Sequence, residues 1–419
     1  MNILLLGSGG REHAISRALA RSPRLKKLLV MPGNAGTEML ATNILGDPCD
    51  VAHVVAVAKR EVIDIVIVGP EDPLAAGVAD ALEAANIRVF GPRAAAAKLE
   101  SDKAYAKELM RKQAIPTAEG RIFNDYNLAC EYISTRDEAL VVKAAGLAKG
   151  KGVIVCSEPS EALLAAERIM VQRVFGSAGD TIVVEERLTG REVSLMAIVD
   201  GSTIYLLETA QDYKRLRDGD EGPNTGGMGT FSPAPPLDDA VLRHIQTQIF
   251  VPIIDAMLRD GIHYRGVLYA GLMLTHAGPK VLEFNCRFGD PETQVLMMRL
   301  QSDAVDLFDA ATSGKLDQYE MRWDPRAAVC IVAAAEGYPD KVRTGDWING
   351  LPYATVHADH AVFHAGTKRI VTKMQTAGGR VLGITALGET RAAARERAYE
   401  IVSRIQFEGM QMRRDIGAE

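Results

Sequence analysis

Cysteine is sparse in this 419-residue chain: five residues (Cys49, Cys130, Cys156, Cys286 and Cys330), none in a C-x-x-C pair. That scatter argues against a disulfide framework and a structural zinc site, and it points to a reducing, cytoplasmic setting. No apolar run approaches the ~20 residues needed to cross a bilayer. Met1–Leu6 is too short for a signal-peptide core and runs directly into a glycine turn. Positive charge is not in surplus either, with 48 Lys and Arg against 54 Asp and Glu and a net charge of −6. A dedicated nucleic-acid binder carries the opposite balance, whereas a local basic pocket for small anions is compatible with it. Internal repeats and low-complexity segments are missing. What remains is a chain of 47% hydrophobic and 24% charged residues, the composition of a globular protein of two to four domains.

Short apolar runs alternate with helical patterns over the first hundred residues. Asn2–Leu6, Lys27–Met31, Ile63–Val68 and Arg88–Phe90 read as strands, with helices at Glu12–Arg21 and Pro73–Ala85. Such alternation predicts a parallel, doubly wound α/β sheet, because parallel strands need a crossover. Ser101–Gln113 reads as a helix capped by Ser101 and ending before Pro116.

Beyond Pro116 the pattern turns strand-rich. Strands are expected at Leu140–Lys143, Gly152–Val155, Thr181–Glu186 and Glu192–Val199, with one helix, Ser160–Val174, entered through the turn and cap Ser157-Glu-Pro-Ser160. Helices at Asp239–Asp260 and Pro291–Ala311 flank a hairpin of Val267–Leu274 and Lys280–Asn285. The tail holds strands at Ala328–Ala334, Ala361–Ala365 and Arg380–Ala386 and a helix, Thr390–Ile405. This divides the chain into an α/β domain over 1–102, an α+β unit over 103–326 whose smaller lobe covers about 120–192, and a small β-rich domain over 327–419.

Several loops carry ligand chemistry. Gly7-Ser-Gly-Gly-Arg-Glu-His13 follows a strand and opens a helix, so backbone N–H groups can approach an anion and Arg11 can add a bidentate contact. A tight turn without a ligand fits the same residues, and the G-x-G-x-x-G dinucleotide pattern is not present. Pro32-Gly-Asn-Ala-Gly36 and Gly69-Pro-Glu-Asp-Pro73 also leave the ends of expected parallel strands, where ligands collect. Lys143-Ala-Ala-Gly-Leu-Ala-Lys-Gly-Lys-Gly152 is a flexible basic loop of the kind that folds over a polyphosphate, although it lacks the P-loop Ser or Thr and a solvated hairpin tip fits the same residues. Val183–Glu192 can offer a linker for an adenine edge and a carboxylate for ribose hydroxyls, although taken alone its paired glutamates fit a solvated face better. Gln211–Arg215 with Gly222–Gly229 is a glycine-rich loop that is costly to order, which suggests a ligand or a close backbone approach, while a mobile surface loop fits the same residues.

The segment Val281–Glu292, Val-Leu-Glu-Phe-Asn-Cys-Arg-Phe-Gly-Asp-Pro-Glu, is the most informative. Glu283 and Asn285 alternate along a strand and so face one side. Two hard oxygen donors on a rigid strand suit Mg2+, which completes its shell with phosphates and water. Arg287, two residues on, can bridge a phosphoryl oxygen. A polar face among Val281, Leu282, Phe284 and Phe288 needs partners to offset its desolvation, and a metal–phosphate cluster supplies them.

In this order, the segments resemble the ATP-grasp family and, within it, the glycinamide ribonucleotide synthetases. The resemblance covers essentially the whole chain. Its specific parts are Asn224-Thr-Gly-Gly-Met-Gly229 and Asn285-Cys-Arg-Phe-Gly-Asp-Pro-Glu292. It implies an N-terminal domain, ATP-grasp lobes and a small C-terminal domain. The implied reaction phosphorylates the glycine carboxylate with ATP and joins it to the amine of 5-phosphoribosylamine in purine biosynthesis. By the same resemblance, Glu283 and Asn285 hold Mg2+ or Mn2+. Lys103, Lys143 and the loop Gly146, Lys149, Gly150, Lys151 and Gly152 handle the ATP phosphates. Glu185, Leu188 and Glu192 bind adenosine. Gly9, Gly10, Arg11, Asn34, Gly36 and Glu71 line the side facing phosphoribosylamine. Asp212, Lys214, Asn224, Thr225, Gly226, Arg287 and Asp290 meet the substrates, with Arg287, Lys214 and Asp212 as the catalytic set. The expected protein is a monomer or weak homodimer that engages neither nucleic acid nor membrane.

The chain departs from the family's pattern at three places: Tyr213 stands where His is usual, Ala145 where Asp is usual, and Lys149 where a small residue is usual. Rival readings are another ATP-grasp enzyme of purine synthesis, a carboxylase or formyl-transferring enzyme, and a non-catalytic ATP-binding protein.

Overall fold

The computed structural model describes residues 1–418 apart from 149, 202, 235–236 and 353–356. The N-terminal sheet is parallel throughout, in the order Thr42–Asn43, Lys27–Pro32, Asn2–Gly7, Ile65–Val68, Arg88–Phe90. Strand order reverses beside Asn2–Gly7, so the crevice outside Gly7 and Gly69 is the topological switch point where such sheets take ligands.

Four antiparallel strands form the smaller lobe: Gly120–Phe123, Ile182–Glu186, Leu140–Ala144 and Val153–Cys156, in that order across the sheet. Helices Tyr126–Ser134 and Pro159–Ala166 pack against it. The larger lobe has Ile204–Leu206, Arg191–Asp200, Arg265–Thr275 and Gly278–Asn285. A third antiparallel sheet draws on both sides of the expected 326/327 boundary. Gln211–Asp212 and Gly229–Ser232 join Ala327–Ala334, Arg380–Gly388 and His360–His364, and helix Arg391–Val402 packs on that sheet.

Core packing separates these units unequally. The smaller lobe has its own cluster of buried residues, including Ala129, Val142, Ile169 and Val184. The N-terminal sheet and larger lobe share one, in which Leu4 and Val66 belong with Phe250, Leu268 and Phe284. Among the described residues no helix is long and apolar enough to cross a membrane.

Several expected elements are resolved differently. Ser101 does not cap a helix but ends Ala94–Ser101. The next helix, Lys103–Lys112, is capped by Asp102, whose carboxylate accepts from the N–H groups of Ala104 and Tyr105. The expected helix Pro73–Ala85 is split at Gly77, whose φ of +85° interrupts the helical backbone. Pro291–Ala311 is likewise two helices, because Leu300 is extended and Asp303 starts a new cap. Ser160 does not supply the helix cap; the helix begins at Pro159 after Glu158, without a side-chain cap bond. Val51–Arg60, a helix not anticipated, is rich in β-branched valines that favour strands. Its Asp50 cap and the burial of Val54, Val57 and Ala58 override that preference.

Candidate active site

The two lobes and the tail sheet enclose a cleft of about 800 Å³. Its floor is the strand Gly278–Asn285, where the register against Arg265–Thr275 slips between Gly271 and Leu272. Leu282 is the extra residue, and such bulges re-aim side chains beside sites. The freed Leu282 carbonyl accepts from Lys143 Nζ at 3.0 Å. Glu283 and Asn285 both line the cleft, as their alternation predicts. Burial works to raise the pKa of Glu283, but Lys214, Lys103, Lys143 and Arg287 together hold it lowered, so the carboxylate is ionised. Lys214 lies 3.2 Å from Glu192 and 3.9 Å from Glu283. Burial opposes its charge, yet Glu192, Asp212 and Glu283 keep its pKa well above that of a free lysine.

One step deeper is a buried lysine–glutamate–lysine triad. Lys107 and Lys143 each approach Glu185 at 2.7 Å, on opposite carboxylate oxygens. Lys103, one turn before Lys107 on the same helix, donates to the Gly146 carbonyl at 3.3 Å, and burial lowers its pKa. Arg287 is clamped by carboxylates from the N-terminal domain, Glu71 at 3.2 Å and Glu100 at 2.9 Å. It also donates to Asn285 Oδ1 at 3.2 Å. Burial pushes both acids up. For Glu71 the opposing Arg287 and Arg11 win and bring it to about 2. For Glu100 burial wins over Arg287, with Glu71 adding to the rise, and the pKa stands at about 7.

Asp212 sits among like charges. Burial, with Glu292, Glu192 and Glu283 acting against Lys214, raises its pKa to about 7. Beside it the Tyr269 hydroxyl donates to Glu292 at 2.6 Å and meets Ser194 at 2.7 Å. Asp290 is held lowered despite its burial, chiefly by Arg380 and Arg11. Arg380, from the tail, lies 3.4 Å from Asp290 and donates to the Gly226 carbonyl at 2.6 Å. Thr225 accounts for the order of the glycine-rich loop: its N–H and hydroxyl both donate to the Lys214 carbonyl, at 2.8 and 2.9 Å. Asn224 reaches across to the Val153 carbonyl at 3.4 Å.

The cleft therefore gathers Glu71, Lys103, Lys143, Gly150, Gly152, Glu185, Leu188, Glu192, Asp212, Lys214, Asn224, Thr225, Gly226, Glu283, Asn285, Arg287 and Asp290. Gly146 packs on Ala178, and Lys151 is exposed on the loop. Lys149 lies outside the described residues. Ala145 is buried, its carbonyl accepting from the Lys103 N–H at 2.8 Å. Gly9, Gly10, Arg11, Asn34 and Gly36 stand outside the cleft lining. Asn34 ties the glycine turn to the tail by donating to the Ser8 and His364 carbonyls, each at 2.8 Å. A Cβ on Gly36 would lie 2.3 Å from the His13 ring.

The glycine turn itself is not an open anion cradle. The Glu12 carboxylate fills it, accepting from the Gly9 N–H and from Arg11 Nε, each at 2.5 Å. A Cβ on Gly7 would meet Glu12 at 2.6 Å and one on Gly69 at 2.0 Å. The glycines at the switch point thus make room for the protein's own carboxylate.

Sequence reasoning did not select Lys107, Glu100, Glu292, Tyr269 or Arg380. Lys107 was reachable, since it falls four residues after Lys103 on one helix face. Glu292 lay inside the segment already singled out. Glu100 and Arg380 carry no local signal, because their partners are remote in the chain.

The chain matches three family descriptions in succession: the phosphoribosylglycinamide synthetase N domain over residues 1–100, its ATP-grasp (A) domain over 101–293, and its C domain over 328–419. It is 49% identical over 422 residues to a phosphoribosylamine–glycine ligase of Rhodopirellula baltica, covering 99% of this chain and 97% of the relative. It is 48% identical to that of Yersinia pestis, covering 100% and 98%. The solved structure of a phosphoribosylamine–glycine ligase from Thermotoga maritima superposes with a TM-score of 0.87 at 34% identity, over 99% of this chain and 100% of that one.

Proposed function

The chain belongs to the phosphoribosylglycinamide synthetase family, whose reaction is the ATP-dependent ligation of glycine to 5-phosphoribosylamine, and from that premise we propose which residues carry out the reaction. The observation that carries the assignment is the convergence on Glu283 of cations from separate parts of the chain. Lys143 comes from the smaller-lobe strand Leu140–Ala144, and Lys103 from the helix Lys103–Lys112 that precedes that lobe. Lys214, 3.9 Å from Glu283, comes from just after the tail-sheet strand Gln211–Asp212, and Arg287 from just beyond the strand that carries Glu283.

A carboxylate is a poor electrophile, and phosphorylation gives it a leaving group; the enzyme's task is positioning and charge neutralisation. Lys143, fixed by Glu185 and the Leu282 carbonyl, and Lys103 take the ATP phosphates under the Gly146–Gly152 loop. The strand exit Glu185–Leu188 offers backbone groups to the adenine, since the Glu185 side chain is committed to its lysines, and Glu192 takes the ribose. Lys214 and Arg287 offset charge on the phosphoryl group passing to glycine. Asp212, with its pKa near neutrality, accepts the proton released when the phosphoribosylamine nitrogen attacks the glycyl phosphate. Asn224, Thr225, Gly226 and Asp290 face the substrates. Glu71 presents the N-terminal domain to phosphoribosylamine, and Gly9, Gly10, Arg11, Asn34 and Gly36 shape the wall behind it.

Among the described residues no group of three or more His, Cys, Asp or Glu gathers as a metal site. Two oxygens, from ionised Glu283 and from Asn285, suit Mg2+, which draws the rest of its shell from phosphates and water; Mn2+ accepts the same donors. When bound, the cation neutralises the phosphate oxygens during transfer. Five free cysteines support a reducing, cytoplasmic location, and we assign the protein as a monomer or weak homodimer.

The test is ADP formation with ATP, Mg2+, glycine and freshly made phosphoribosylamine. ADP release is expected only with both co-substrates, and Glu283→Ala is expected to abolish turnover with the fold retained. ADP release independent of glycine would overturn the ligase assignment, and near-normal turnover of Glu283→Ala would show that the metal is held elsewhere.

A further inference from the structure

The hairpin Arg215–Arg217 and Glu221–Asn224 reaches the cleft between Lys214 and Thr225, yet it has almost nothing apolar to hold it. Residues 217–223 are exposed, and no residue of 215–224 belongs to a buried core. An isolated two-stranded hairpin is marginal in water. Beyond the bonds of Asn224 and Thr225 at its base, its turn is bonded to the segment 413–415.

Arg413, 1% exposed, grips Asp415 with Nε at 2.7 Å and Nη2 at 2.5 Å, and with Nη1 reaches Asp220 at 2.6 Å and the Arg215 carbonyl at 3.2 Å. Asp415 in turn accepts from the Gly219 N–H at 2.9 Å, and the Arg414 N–H donates to Asp218 at 2.6 Å. Every residue of the hairpin turn, 218–220, is therefore bonded to the terminal segment. That segment is anchored from behind: Tyr399 donates to the Arg413 carbonyl and Arg395 to the Ile416 carbonyl, both from helix Arg391–Val402.

Tyr213 completes the fastening. Its ring lies 4.8 Å beneath the Arg413 guanidinium, and its hydroxyl accepts from the Gly417 N–H at 3.0 Å. Tyr213 and Lys214 are consecutive, with Tyr213 packed toward the tail core and Lys214 beside Glu283. Whatever holds Tyr213 sets where Lys214 begins. The Lys214 carbonyl is also the acceptor that orders Thr225. The residue that departs from the family's usual histidine is thus part of this fastening.

We propose that Arg413–Gly417 is a strap that orders the 215–224 hairpin and so positions Lys214, Asn224 and Thr225 for ligation, with Arg413 and Tyr213 as positioning residues. This rests on the roles given to Lys214, Asn224 and Thr225 above.

The test compares Arg413→Met and Tyr213→Phe in the full chain. It reads kcat, KM for each substrate, ATP affinity without co-substrates, and amide hydrogen exchange. Arg413→Met is expected to lower kcat by about 10–100-fold, the scale of a small misplacement of catalytic groups. ATP affinity should stay within about threefold of the parent, a shift of under 1 kcal/mol. Exchange should rise in 215–224 and not in the central sheets. Tyr213→Phe keeps the ring and loses one hydrogen bond, so a smaller fall of about fivefold is expected. This milder variant keeps the test decisive where Arg413→Met fails to fold. Faster hairpin exchange with parental kinetics in both variants overturns the proposal, as does a loss that tracks general unfolding without hairpin-specific exchange. Lys214→Met separates the two levels. If it is inactive while Arg413→Met turns over normally, the strap alone is refuted; if it turns over normally, the assignment of Lys214 itself fails.

Discussion

Replacing Glu185 by glutamine keeps the shape of the residue and removes one charge from the buried triad. The Glu185 side chain is 5% exposed, and its two ammonium partners lie 2.7 Å away with side-chain exposures of 2% for Lys107 and 9% for Lys143. At an effective dielectric of about 20, each contact is worth about 6 kcal/mol of Coulomb attraction. The repulsion between the two lysines and the desolvation of three ions offset most of that. The intact triad therefore adds little net stability, but the variant leaves two ammonium groups buried against each other. Removing one partner from a buried ionic group costs about 3–5 kcal/mol, and urea unfolding of Glu185→Gln at pH 7 should show a loss of that size. Lys143 also loses the group that fixes it, so ATP affinity should fall in the same variant. The pH dependence has a definite sign. Burial raises the Glu185 pKa, but Lys143 and Lys107 outweigh it and the pKa is lowered. Its contribution is therefore complete above the unfolded value of about 4.3 and disappears as pH falls through the folded value. Parent and variant should differ by a constant amount above about pH 5 and converge in acid. A variant within about 1 kcal/mol of the parent at neutral pH would refute the buried triad, because that is the effect of an exposed ion pair.

Two further outcomes follow from the same geometry. Asp212, raised to about 7 chiefly by burial and then by Glu292, Glu192 and Glu283 against Lys214, should impose an acid limb on kcat/KM with a midpoint near that value. Stability responds oppositely: the contribution of a raised acid is full below its unfolded pKa and is lost as pH rises through about 7. Asp212→Asn should thus be inactive yet more stable than the parent at pH 8, with the two alike below about pH 4, measured by denaturant unfolding at each pH. Gly69→Ala puts a methyl group 2.0 Å from Glu12 Oε1 and 2.6 Å from the Leu6 carbonyl. Calorimetry should show a loss of about 1–3 kcal/mol or more, with a raised KM for phosphoribosylamine as Glu12 releases Arg11. An unchanged KM would mean that the filled turn does not shape the substrate wall.

The structure shows how far local chemistry was legible. Glu283 and Asn285 could be read directly, since strand alternation and an apolar flank are local properties, and the structure places both in the cleft. The basic loop after Lys143 was legible for the same reason. Its lysine's fixed position was not, because that depends on Glu185 and on the bulge at Leu282. The N-terminal turn had two readings in sequence, and only the fold shows that Glu12 occupies it. Helix boundaries failed where a single backbone angle or cap decided them, at Gly77, Asp102 and Asp303.

The sequence by itself determined most of the element classes, the pair of oxygen donors Glu283 and Asn285 on one strand face, and the glycine- and lysine-rich loops, because each depends on residues within a few positions of one another. Tertiary structure alone decided which charges share a partner. Arg287 is held by Glu71 and Glu100, Asp290 by Arg380, and the Lys214 hairpin by Arg413 near the end of the chain. Coulomb interaction and burial act through space, so a pKa near neutrality at Asp212 or Glu100 is a property of packing and is not written in any segment.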